Sequence, residues 1–350
     1  MKTAATLWRE VFLHISAKLR RSVNLMEVCG SHSMAVARSG LRALLPDNVK
    51  LLSGPGCPVC VSASSFIDRT ILLNRRGVKT AVFGDLLKIP GSLGKLRDEN
   101  GLLVIYSPEE ALEFARRHPH TETVLAAVGF EPTAAVGAAV LDSAVREGLT
   151  NFSVLCDFKH LRPVLDELAS DPKTALSGFL LPGHVGSIIG VSGYRNLSLP
   201  GVVSGFEPEN ILYSLKMLLE MIADGECSVK NNYPQLVAEE GNRTALQLID
   251  RYFTAADGEW RGLGMVPGGC WKIRDEYAAF DAACKYDLKV ETPAGAPSGC
   301  RCGEILRGYL TPEECPLFGS ACTPENPVGS CMVSSEGACA AAYHYRQVAI

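Results

Sequence analysis

Several things that a chain of 350 residues could carry are missing from this one. There is no long basic run. Arg20-Arg21, Arg75-Arg76 and Arg116-Arg117 are isolated pairs and the formal net charge is −4, so no nucleic-acid partner is expected. No apolar run is long enough for a membrane span: Pro182, Gly183 and His184 interrupt the stretch from Leu176 to Val191, and Glu131 and Pro132 interrupt that from Val124 to Leu141. Near the N-terminus, Glu10 and His14 stand where a secretory signal needs an apolar core, so a reduced, cytoplasmic setting is expected. Neither Gly-x-Gly-x-x-Gly nor Gly-x4-Gly-Lys-Ser/Thr occurs, and dinucleotide or P-loop nucleotide binding is not signalled. With 47% hydrophobic and 21% charged residues the composition is that of a globular protein large enough to bury a core without disulfides.

What is abundant is cysteine. Six of the 13 cysteines, Cys300, Cys302, Cys315, Cys322, Cys331 and Cys339, fall in the last 51 residues among Gly and Pro. The spacing Cys300-x14-Cys315-x6-Cys322-x16-Cys339 offers four thiolates, as does a set using Cys302 or Cys331. Four soft thiolates select zinc or an iron–sulfur cluster. The tail has no tight Cys-x2–4-Cys knuckles, which favours an iron–sulfur cluster over structural zinc or disulfides. Cys57-Pro-Val-Cys60 stands between an expected strand and helix, where a helix start lowers a thiol's pKa, and reads as a redox dithiol. Cys29-Gly-Ser-His32 places a thiol and an imidazole around another helix start. Spacing alone leaves open a nucleophile–base pair or two ligands of one metal ion.

The first two-thirds alternate between short strands and helices. Strands are expected at Leu25 to Val28, Val49 to Leu52, Thr80 to Phe83, Thr123 to Val128, Phe152 to Cys156, Gly178 to Leu181 and Gly201 to Val203. Helices are expected between them, one with Ser31 as N-cap running to about Leu45 and another from about Ser62 to Arg75. Such alternation implies parallel sheets with helices on both faces. Gly129-Phe130-Glu131-Pro132 and Gly205-Phe206-Glu207-Pro208 form a weak internal repeat, and Pro55-Gly56-Cys57 is echoed by Pro182-Gly183-His184, suggesting two related halves. All four motifs follow strands, where ligands gather in open α/β sheets. Glu131, His184 and Glu207 are therefore candidate cleft residues. From about Asp224 the pattern turns to Gly-, Pro- and Cys-rich loops after a helix at Gly241 to Phe253, a region that a metal cluster would hold in place.

Taken together and in order, Met26-Glu27-Val28-Cys29-Gly30-Ser31-His32, Gly54-Pro55-Gly56-Cys57-Pro58-Val59-Cys60-Val61, Leu181-Pro182-Gly183-His184-Val185, Gly205-Phe206-Glu207-Pro208 and the tail from Cys322 to Cys339 closely resemble the HypD family of hydrogenase maturation factors. The resemblance spans nearly the whole chain. It implies a scaffold that, with a small HypC-type chaperone, holds an iron ion while two cyanides and one carbon monoxide are attached, before delivery to a [NiFe]-hydrogenase large subunit; the cyanide donor is HypE, in a transient complex. Carried over residue by residue, it makes Cys29 the iron-binding cysteine, shared with the N-terminal cysteine of HypC, with His32 beside it. Cys57 and Cys60 become the redox dithiol, and Cys300, Cys315, Cys322 and Cys339 the ligands of a [4Fe–4S] cluster, with Cys302 and Cys331 as alternates.

Two departures stand out: Ser31 follows Gly30 where Thr or Gly is frequent, and Pro132 replaces a Thr, removing an amide donor and a hydroxyl. The rival reading is an iron–sulfur-dependent thiol/disulfide oxidoreductase acting on a protein partner, which needs no iron at Cys29. A zinc-stabilised binding module is a third. The expected architecture is two related α/β domains with small parallel sheets, Rossmann- or thioredoxin-like, at 25–130 and 131–235. A third, cysteine-rich domain carrying the cluster is expected from 1–24 with 236–350, and the sulfur sites are expected to face shared clefts, with Cys29 near the dithiol.

Overall fold

A computed structural model describes residues 4–290 and 299–346; parts of the expected cysteine-rich domain at 1–3, 291–298 and 347–350 lie outside the described residues. The strands are β1 Val23–Glu27, β2 Val49–Ser53, β3 Lys79–Phe83, β4 Leu103–Ile105, β5 Thr123–Gly129, β6 Phe152–Phe158, β7 Leu176–Pro182, β8 Gly201–Ser204, β9 Val229–Asn231, β10 Phe253–Trp260 and β11 Gly264–Ile273. Backbone contacts gather the chain into two units, one of Met1–Cys57, Val164–Asn242 and Ala296–Ile350, the other of Pro58–Pro163 and Arg243–Gly295.

The first unit holds a parallel sheet in the order β2-β1-β7-β8-β9. Counted within the unit this is 2-1-3-4-5, a doubly wound order whose switch point lies between β1 and β7. All seven residues of β7 are buried, as expected of a strand covered on both faces. The core on one face joins Phe12 and Ile15 of the helix Ala4–Ser16 with Leu25, Leu51, Leu180 and Val202 of the sheet and Ile211, Leu215 and Leu218 of the helix Pro208–Asp224. Trp8 meets Tyr213 edge-on at 4.9 Å between ring centroids. The N-terminal helix thus packs on this sheet, in the unit that also holds the cysteine tail.

The second unit holds a parallel sheet in the order β4-β3-β5-β6 and an antiparallel hairpin of β10 and β11. The mixed α/β class with small parallel sheets is therefore as expected. Consecutive strands need not pair: β2 and β3, with a helix between them in the chain, lie in different sheets. The repeats also sit at unlike places. Gly129 closes the third strand of one sheet order and Gly205 follows the fourth of the other, while Pro55-Gly56 and Pro182-Gly183 follow strands of the same sheet. Helix starts differ as well. Cys29, with extended backbone angles, is the N-cap of the helix Gly30–Arg38, and Ser31 lies inside it. That helix stops well before Leu45, because Gly40 adopts φ +64° and a separate short turn, Leu41–Leu44, follows. No helix among the described residues is long and apolar enough to cross a membrane.

Candidate functional site

At the carboxyl edge of the first unit's sheet, β1 runs through Val28 into Cys29 and the helix it caps, β7 into Gly183-His184, and β8 into Gly205-Phe206. The topological switch point therefore brings together Cys29, His32 and His184. Cys29 is buried. Burial pushes its thiol up to about 12, against the backbone N–H groups of His32 and Ser31, which favour the thiolate; the carboxyl of Glu336 adds to the upward push. His32 is fully buried, and its Nε2 lies 3.0 Å from the carbonyl oxygen of Gly205. Burial holds its pKa down to about 4, with a smaller upward pull from that carbonyl, so the ring is neutral and Nε2–H donates. Its Nδ1 has no hydrogen-bond partner among the described residues. The ring packs on Phe206 at 4.8 Å, and His184 stacks on Phe206 at 4.0 Å.

Two acidic residues that sequence reasoning missed border this site. Glu336, from the cysteine tail, accepts from Ser31 Oγ at 2.8 Å, at the start of the Cys29 helix. Its backbone comes so close that a Cβ on Gly30 would lie 2.4 Å from Glu336 Cβ and 2.6 Å from its carbonyl oxygen, so only glycine fits there. Glu27, the last residue of β1, is fully buried and accepts from Ser33 Oγ at 2.7 Å. Burial raises its pKa to about 7 although Arg42, 3.7 Å away, pulls the other way. The only local signal for Glu27 was its place at a strand end, and none marked Glu336.

The dithiol lies next in the chain to this edge. The Cys29 backbone packs on Gly56, where a Cβ would fall 2.3 Å from Cys29 N, and Gly30 N donates to Gly56 O at 3.0 Å. Cys57 and Cys60 are both buried and disulfide-bonded.

In the same unit, all six tail cysteines, Cys300, Cys302, Cys315, Cys322, Cys331 and Cys339, line a single small pocket. Burial, reinforced by the neighbouring Cys302, Cys300, Cys322 and Cys315 thiols, pushes the Cys339 thiol upward. Val328 N–H donates to Cys322 Sγ at 3.4 Å, and Gly329 makes room for Cys300, whose Sγ would lie 2.5 Å from a Cβ there. Among the described residues no three His, Cys, Asp or Glu stand close enough to hold a single metal ion. A cluster needs thiols spread around a larger body than one ion, and six of them around one apolar cavity with an amide aimed at a sulfur suit such a group. The remaining candidates fall elsewhere. Glu207 is the exposed N-cap of the helix Pro208–Asp224. Glu131 belongs to the second unit, where its Oε1 accepts from Leu161 N at 2.9 Å and caps the helix Leu161–Ser170.

Comparison with known proteins is consistent across the chain. The HypD family model, described as "Hydrogenase formation hypA family", matches residues 5–346. The hydrogenase expression/formation protein HupD of Azotobacter chroococcum is 42% identical over 349 residues, covering 94% of this chain and 92% of its own. The hydrogenase maturation factor HypD of Azotobacter vinelandii is 41% identical, with 96% and 93% covered, and that of Rhodobacter capsulatus 39% identical, with 95% and 91% covered.

Proposed function

Because the chain belongs to the HypD family of hydrogenase maturation factors, we propose that it is the scaffold on which an iron ion receives two cyanides and one carbon monoxide before transfer to a [NiFe]-hydrogenase large subunit. The iron is cargo, held between Cys29 and the N-terminal cysteine of a HypC-type chaperone, with HypE bringing the cyanide. The observation that carries this reading is the pairing at the switch point: a buried thiol capping a helix beside a neutral imidazole whose Nε2–H is committed to Gly205 and whose Nδ1 has no partner among the described residues. A backbone carbonyl on one ring nitrogen is the usual way a metal-facing histidine is oriented. With its thiol near 12, Cys29 is protonated in the metal-free protein and releases that proton when a cation takes its place. The helix-start amides of Ser31 and His32 then face the thiolate, and Phe206 with His184 keeps one side of the site apolar and stacked.

The resident cofactor is a [4Fe–4S] cluster on Cys300, Cys315, Cys322 and Cys339, with Cys302 and Cys331 as alternates in the same cavity. When bound, such a cluster supplies one-electron transfer at low potential. Glu336 ties the tail that carries these thiols to the helix that carries Cys29. The Cys57–Cys60 pair exchanges two electrons and two protons, and its disulfide form favours a second reading, an iron–sulfur-dependent oxidoreductase acting on a protein thiol.

Infrared spectroscopy with iron and sulfide quantitation on protein purified without oxygen, co-produced with its HypC-type partner, separates the two. Metal-bound cyanide and carbonyl bands that vanish in Cys29→Ala, while about four cluster irons remain, are the expected result. Cluster iron without such bands, in cells making active hydrogenase, would replace the scaffold reading with the oxidoreductase.

A further inference from the structure

The second unit takes a firm hold on the chain that follows Cys60. Arg261, in the turn between β10 and β11, is 6% exposed. Its backbone N–H donates to Val61 O at 2.8 Å, its Nε to Ser62 O at 2.8 Å and its Nη1 to Pro90 O at 2.9 Å. One residue thus takes the carbonyls that end the short helix Pro58–Val61 and fastens them to the loop at Pro90. That loop is anchored in turn, because buried Asp68 accepts from Ser92 Oγ at 2.7 Å and from Leu93 N at 2.8 Å. Just past that helix, Ser62 Oγ donates back to Pro58 O at 3.1 Å. A planar guanidinium can serve two carbonyls in fixed directions at once, which a lysine ammonium on a flexible stem cannot.

A disulfide closes only when both cysteines hold a narrow geometry, with Cα atoms about 4.4–6.8 Å apart. A segment kept in that geometry by its surroundings loses less freedom on closing, which favours the oxidised form. We propose that Arg261 is a positioning residue for the Cys57–Cys60 couple, fixing the chain after Cys60 so that the disulfide is favoured over the dithiol. The inference rests on the reading that this pair cycles between its two states. Reduction by a dithiol such as dithiothreitol breaks the Cys57–Cys60 bond, moves two electrons and two protons from the donor to the two sulfurs, and leaves the donor as its own cyclic disulfide.

The test is redox equilibration of the full chain in dithiothreitol buffers, read by differential alkylation and mass of the peptide bearing Cys57 and Cys60, for wild type, Arg261→Lys and Arg261→Gln. Circular dichroism establishes that each variant is folded, and Arg261→Lys, which keeps the charge, carries the test alone if Arg261→Gln is not. Both variants are expected to lower the oxidation equilibrium constant about tenfold, equivalent to about 30 mV for a two-electron couple. A wild type that equilibrates while both variants match it overturns the role of Arg261 and leaves the dithiol reading standing. A disulfide unchanged in Arg261→Lys and tighter in Arg261→Gln overturns it too, because the charge and not the hold would then set the equilibrium. A wild-type pair that does not exchange at all overturns both.

Discussion

Cys29 shows how environment decides what a side chain can do. A helix start makes a thiol more acidic, but here burial dominates and holds the thiol near 12. Iodoacetamide labelling of metal-free protein at pH 7.5, followed by peptide mass, is therefore expected to modify Cys29 at least about a hundredfold more slowly than exposed Cys227, with the rate still climbing at the highest pH the fold tolerates. Glu131 gives a second residue-scale expectation. Burial raises its folded pKa to about 7, above the value of a free carboxyl, so the stability it contributes is complete below about pH 4.5 and is lost as pH rises through 7. Glu131→Gln keeps an acceptor for Leu161 N–H without the charge. Thermal melts from pH 5 to 8.5 should show the variant near wild type at the acid end and more stable by about 1–3 kcal/mol at the alkaline end. Equal slopes for the two proteins would contradict the buried carboxylate. At this scale much was legible in the sequence. Residue type and spacing picked out the side chains that the fold gathers, Cys29 and His32 at one helix start and the six tail cysteines around one pocket. Glu336 did not, because its partner Ser31 lies 305 residues away and only the fold brings them together.

Among the elements, the tight approaches are the sensitive points. A Cβ at Gly56 would fall 2.3–2.5 Å from the backbone N, Cα and C of Cys29, and backbone cannot step aside as a side-chain tip can. Gly56→Ala is expected to cost about 1–3 kcal/mol in denaturant unfolding and to abolish hydrogenase maturation in cells; normal maturation would show that the approach is not needed. Gly329→Ala is the counterpart in the tail, where the new methyl meets Cys300 Sγ at 2.5 Å. If Cys300 is a cluster ligand, iron and sulfide content should fall by half or more, while an unchanged content would point to Cys302 in its place. Most elements were legible because period-2 and period-3.6 patterns are local; β5 and the helix Ser64–Arg75 fall close to where the patterns put them. The β10–β11 hairpin was not. Its strands carry Gly258, Gly264, Gly268 and Gly269 and Pro267, so they read as loop, and their pairing comes from each other and from Lys159, which bridges to Cys270.

For the molecule as a whole, strand order was the least legible feature, since nothing in β1 says that its second neighbour arrives at residue 176. Parallel pairing is non-local by nature. Among the described residues the cysteine tail has only short helices, so a cluster bound there would contribute much of its folding free energy. Stripping iron with a chelator under oxidising conditions is expected to expose 299–346 to limited proteolysis while fragments from 58–163 survive; equal resistance before and after stripping would argue against a metal-dependent lobe. The interleaving of β1 and β7 also governs when the site can exist. A ribosome adding about 5–20 residues each second leaves β1 with one open edge for roughly 7 to 30 s before β7 emerges. Throughout that interval Cys29 lacks His184 and Gly205, and the tail thiols have yet to be made. An iron site of the kind proposed at Cys29 could therefore form only once the chain is finished.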